Sequence, residues 1–116
     1  MSTENDITHL IERLDVFEER LKVRFAGLFA KASQEDWGAA VSVNGEVHPA
    51  DGGGLGEDVE VVADILDRDG RLIERQTQQF SCETFFGFQS FHFYISAQNI
   101  QLNQIRTIRL YPQTWP

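Results

Sequence analysis

Residues Val59–Phe80, VEVVADILDRDGRLIERQTQQF, read as two strands joined by a tight turn at Arg68, Asp69 and Gly70. Residues facing each other across an antiparallel pair share one face of the sheet, and a slip of one residue inverts that face. Three loop lengths compete. A two-residue loop sets Arg68 against Arg71 and Ile65 against Glu74; a four-residue loop sets Leu66 against Arg71 and Asp64 against Ile73. Both mix apolar with charged. A three-residue loop pairs Asp67 with Arg71, Leu66 with Leu72 and Ile65 with Ile73, and leaves Gly70 at the left-handed position such hairpins need. That register is the expected one, and it places Asp64 opposite Glu74.

Downstream, Thr84–Ala97 is dense in aromatic residues. Phe91, Phe93 and Ile95 alternate with His92, Tyr94 and Ser96, which predicts a strand with an inward apolar face. A last strand is expected over Ile105–Tyr111, with Ile108 and Leu110 inward and Pro112 and Pro116 ending regular pairing. Upstream, Ala39, Val41, Val43, Gly45 and Val47 share one face against Ser42, Asn44, Glu46 and His48. Asn44-Gly45 is a hairpin signal, yet a two-residue turn there would set Val43 against Glu46 and Val41 against His48. Register favours one continuous strand, with Gly45 a bend or a site of close packing.

From Asp6 to Ala32 the residues Ile7, Leu10, Leu14, Phe17, Leu21, Phe25 and Leu28 recur at helical spacing, opposite a charged face. This predicts a long N-terminal amphipathic helix. Ile7, Leu14, Leu21 and Leu28 fall every seventh position, a seam able to pair with a second copy or to lie across a sheet. The expected organisation is a helix and joint over 1–36 and a β-sandwich over 37–116.

One cysteine, Cys82, excludes an intramolecular disulfide, and the polar, acidic first residues do not resemble a secretory signal, so a cytoplasmic protein is expected. A net charge of −8 argues against sequence-independent nucleic-acid binding. No apolar run reaches the roughly 18 residues of a membrane span. Charge is uneven: residues 37–83 hold ten acidic and three basic side chains, whereas 84–116 hold no Asp or Glu.

The acidic turn at Asp67 and Asp69 fails as an EF-hand, since Ile65 and Gln76 occupy two ligand positions. His48, Asp51, Glu57 and Asp58 bring oxygen and nitrogen donors into one glycine-rich loop, and a small-ligand or metal site there is the second functional reading. Cys82 and His92 lie in apolar stretches, Ser90 does not fit a nucleophile elbow, and no set of residues fills two roles of an active site. No catalytic residue and no cofactor are therefore assigned. Phe85, Phe86 and Phe88 cannot all face one core from a strand, so at least one points outward, to be covered by the helix or by a partner.

Val41–Val47, Val59–Val62, Ile65–Gly70 and Phe91–Phe93 give residues 39–111 a pattern that resembles FxLYD-type domains, small immunoglobulin-like sandwiches of bacterial proteins; Ile65-Leu66-Asp67 stands where that family carries an aromatic-containing triplet. The resemblance implies a binding or assembly module and assigns no functional residue. The expectation is a mainly β, immunoglobulin-like antiparallel β-sandwich behind one long helix, serving as a noncatalytic interaction module. Ile7, Leu14, Leu21 and Leu28 would hold a homo-oligomer together, and Phe85, Phe86 and Phe88 would hold a protein partner.

Overall fold

The computed structural model describes residues 4–50 and 52–115. Its strands are β1 (Glu4–Asp6), β2 (Ile11–Arg13), β3 (Val23–Glu35), β4 (Gly38–Pro49), β5 (Val59–Asp67), β6 (Leu72–Phe80), β7 (Gln89–Gln98) and β8 (Ile105–Thr114), with one short helix, α1 (Asp15–Leu21), and 3-10 turns at Thr8–Leu10 and Leu102–Gln104. They form two four-stranded sheets, ordered β1-β3-β4-β7 and β2-β8-β5-β6. Every pairing is antiparallel except β2 with β8, which is parallel. No helix among the described residues is long and apolar enough to cross a membrane.

The long N-terminal helix is not there. Its span is divided among β1, β2, the seven-residue α1 and most of β3, the longest strand. The helical spacing arises from two unrelated causes. Leu14, Phe17 and Leu21 do lie at or in α1, whereas Val23 and Phe25 point inward from a strand, and a β-bulge between Ala26 and Phe29 then advances the inward parity, so that Ala30 and Ala32 continue the core. One added residue turns a period of two into a step of three. Gly27, with φ +61° at the bulge, carries the left-handed backbone that makes this step. Ile7, Leu14, Leu21 and Leu28 accordingly fall in three segments, with Leu14 and Leu21 at the two ends of α1 and Ile7, Leu21 and Leu28 packed on the chain's own core, and the seam of one long helix does not form. The boundary expected at 36/37 falls in the β3–β4 hairpin turn.

The long strands divide as β3, β4 and β7 in one sheet and β5, β6 and β8 in the other, so the chain crosses between sheets after β4, after β6 and after β7. The core lies between the sheets, where Phe25, Val41, Val43, Val47, Phe91, Phe93 and Ile95 meet Val61, Ala63, Ile65, Ile108 and Leu110. Each such side chain contributes roughly 1.5–3 kcal/mol when withdrawn from water.

β4 runs unbroken through Asn44-Gly45, and a Cβ on Gly45 would stand 2.5 Å from Phe91 Cζ and 2.6 Å from Leu28 Cδ2. Glycine is there to let two core side chains close over the strand. In the β5–β6 hairpin, the Asp67 N–H donates to the Arg71 carbonyl, Leu66 faces Leu72 and Gly70 has φ +80°. A bulge then shifts the register, so Ile65 faces Glu74 and Asp64 faces Arg75 in place of the expected Ile73 and Glu74. The shift exchanges a like-charge pair for an ion pair: Arg75 Nε lies 2.6 Å from Asp64 Oδ1, and the Tyr111 hydroxyl donates to Oδ2. Asp64 also faces Arg109, which faces Glu12, so acid and base alternate across all four strands of this sheet's outer face. Pro112 does not end β8, which continues to Thr114. β2 accompanies β8 only along Ile108–Leu110, so at Pro112 one side of the strand has no ladder to supply.

α1 is too short to persist alone. Its C-terminus closes at Lys22 in the left-handed conformation, and Phe17 packs on Tyr111 with ring centroids 5.7 Å apart. Glu18, buried in α1, accepts from the Phe25 N–H and pairs with Arg13 at 2.6 Å, and Arg13 donates to the Phe25 carbonyl. Two side chains thus serve both backbone groups of Phe25 where β1 does not reach. That hydrogen bonding raises the Arg13 pKa above its ordinary value.

Candidate functional site

One end of the sandwich gathers Ala50, the loop 52–58, the loop 81–88, the α1–β3 turn and Trp115. The gathering is made by hydrogen bonds: Cys82 N–H donates to Asp58 Oδ1 at 2.8 Å, Trp115 N–H to the Asp58 carbonyl at 3.1 Å, and Ala50 N–H to the Lys22 carbonyl at 2.9 Å. Asp58 is the hub. The bond from Cys82 holds the Asp58 carboxyl below the usual carboxylate range, and the same carboxylate raises the Cys82 thiol. A thiol so placed stays protonated at neutral pH and is a poor nucleophile.

The aromatic run is sorted by a single turn. Thr84 and Phe85 N–H groups donate to the Ser81 carbonyl, and the Glu83 N–H donates to Ser81 Oγ. The turn drives Phe85 inward, edge-on to Phe80 with centroids 6.0 Å apart, and throws Phe86 outward, where it is 90% exposed. Phe88, the last residue before β7, has its ring stacked on His48, centroids 4.9 Å apart and planes 9° from parallel. Even so it remains 52% exposed. Of the three phenylalanines expected to contact a partner, Phe86 and Phe88 are on the surface and Phe85 is in the core. No helix among the described residues covers them.

The loop read as a possible ligand site is differently engaged. His48 Nε2 lies 3.0 Å from Glu46 Oε1 while its ring carries Phe88, Asp58 is bound to Cys82, Glu57 is exposed, and Asp51 lies outside the described residues. Among the described residues no three His, Cys, Asp or Glu side chains converge as metal ligands. Cys82 and His92 are not brought together as a reactive pair: Cys82 answers to Asp58, and His92 Nδ1 is held by Asn44 Oδ1 on the outer face of β4 and β7. A hollow of about 490 Å³ lies over that face, lined by Asn44, Glu46, Gln78, Ser90 and His92.

Two features of this end escaped the sequence. The His48–Phe88 stack joins β4 to the loop before β7 with no sequence pattern to link them, and nothing in the sequence singles out Trp115, whose backbone is tied to Asp58. The chain matches no protein-family model, no curated protein and no solved structure.

Proposed function

We propose that the chain is a noncatalytic protein-interaction module whose β6–β7 loop presents Phe86 and Phe88 to a protein partner. The observation that carries this reading is Phe86, 90% exposed immediately after the hydrogen-bonded turn Ser81–Phe85. A large apolar side chain standing in water gains by burial, and buried aromatic anchors supply most of the energy of protein interfaces. Phe88, stacked on His48, gives the anchor a firm flank. Glu57 and Glu83 stand exposed on the two neighbouring loops, so the partner surface that fits is an apolar pocket with a cationic rim.

The test is site-specific photo-crosslinking in the native host, with a benzophenone side chain at position 86 and, as control, at Leu72, an exposed apolar residue elsewhere. A discrete protein adduct at 86, absent at 72 and competed by the untagged chain, is expected, and Phe86→Ser should weaken that complex about tenfold or more while leaving the melting temperature in place. Equal adducts at both positions, or none at 86, rule the reading out.

A further inference from the structure

β7 is the open edge of its sheet, and it differs from the other edges. β1 and β2 are three residues each, and β6 carries Glu74 and Arg75, whereas β7 runs for ten residues, QSFHFYISAQ, with no Asp, Glu, Lys, Arg or Pro. Natural edge strands are commonly kept apart by such charges, by proline or by shortness. β7 has none of these.

The backbone groups that face the open side can be identified. The Tyr94 carbonyl accepts a hydrogen bond from Gln76 Nε2 of β6, on the side away from β4, while the Asn99 N–H donates to Trp37 beside β4. N–H and C=O groups of one residue point the same way in an antiparallel ladder and alternate along it. Ser90, His92, Tyr94, Ser96 and Gln98 therefore turn their backbone groups to the open edge, and the Gln76 amide is the cover seen there among the described residues.

These five positions are symmetric about Tyr94. We infer that β7 pairs antiparallel with β7 of a second copy, with the two-fold axis at Tyr94, joining two four-stranded sheets into one of eight strands. Ser90 then faces Gln98 of the other copy, His92 faces Ser96, and the two Tyr94 side chains, each 56% exposed, meet across the axis. Each facing pair exchanges two N–H···O bonds, and no pair sets like charges together. A chain of net charge −8 repels its own copy over most of its surface. A strand without charged side chains is where that repulsion is least, which makes a second copy the occupant that fits. Gln76 must release the Tyr94 carbonyl as the pair forms. The inference is independent of the loop at 81–88 and stands or falls without it.

The experiment is light scattering of the intact chain from micromolar to submillimolar concentration, with hydrogen exchange at both extremes. A dimer is expected, with protection of the His92, Tyr94 and Ser96 amides rising with concentration while Phe91, Phe93 and Ile95 stay unchanged. Tyr94→Lys and Tyr94→Glu, on an exposed side chain, should each weaken the dimer at least tenfold, and an equimolar mixture of the two should restore it. A monomer at every concentration overturns the inference, as does a dimer whose His92, Tyr94 and Ser96 amides gain no protection.

Discussion

The two flanks of the β1-β3-β4-β7 sheet are finished in opposite ways. Along β3 the open backbone is met at three places: β1 pairs with residues 31–33, the Thr8 hydroxyl and the Ile7 N–H take the N–H and C=O of Ala30, and Glu18 with Arg13 takes those of Phe25. Along β7, among the described residues, one glutamine amide reaches one carbonyl. A sheet edge is a liability unless it is used. Side chains and β1 from the segment 4–18 cover parts of one edge, whereas the other is a ten-residue strand without a charged side chain, and the proposed pairing of β7 rests on that difference.

The largest blow to this contrast is Glu18→Ala. It strips the partner from Arg13 and from the Phe25 N–H, and should cost about 2–3 kcal/mol in urea unfolding, below the usual range for a buried pair because Arg13 is 39% exposed and water can reach it. Glu18→Gln, which still accepts from Phe25, should lose about half as much. If both cost less than about 0.5 kcal/mol, side chains do not seal that edge. Next is Gly45→Ala in β4, the strand between the two edges. Crowding Phe91 and Leu28 should cost about 2 kcal/mol, with the melting temperature as readout. Thr8→Val keeps the shape and removes the hydroxyl that serves Ala30, for about 1 kcal/mol and faster exchange of the Ala30 amide. Smallest is Gln76→Ala, expected to change stability by less than about 0.5 kcal/mol. It uncovers the Tyr94 carbonyl, so self-association should tighten, and loosening would mean that Gln76 belongs to the interface.

The parts of the fold that were legible are those where local chemistry and register agree. Leu66 opposite Leu72 with Gly70 in the turn, the unbroken β4 through Gly45, and the alternation of Phe91, Phe93 and Ile95 all follow from matching faces. Where a bulge intervenes, the reading fails. At β5–β6 the slip past Ile65 put Arg75 against Asp64, and only the awkwardness of Asp64 beside Glu74 hinted at it. In β3 the bulge at Gly27 joined a true turn of helix to a strand so smoothly that hydrophobic spacing alone could not separate them. The signal available was Gly27 itself, a poor helix residue at the middle of the supposed stripe. At the site, chemistry again marked the spot without its geometry. Crowded phenylalanines required an outward ring, while the choice of Phe86 over Phe85 depends on the turn that Ser81 closes.

The parallel contact of β2 with β8 bears on how the chain is born. Glu12 and Arg109, 97 positions apart, are bonded at 2.8 Å, and β2 lies beside β8. During synthesis the β3–β4 hairpin can form as soon as it emerges. The strip Ile11–Arg13 has no seat until β8 has left the ribosome, and α1, whose Arg13–Glu18 clasp depends on that seat, waits with it. Closing so distant a pair carries a large loop entropy before any contact rewards it, which places folding in the slow range of milliseconds to about seconds. The strip Ile11–Arg13 is thus made before its partner strand and docks after it, so the Arg13–Glu18 cover of Phe25 comes later than the pairing of β1 with β3.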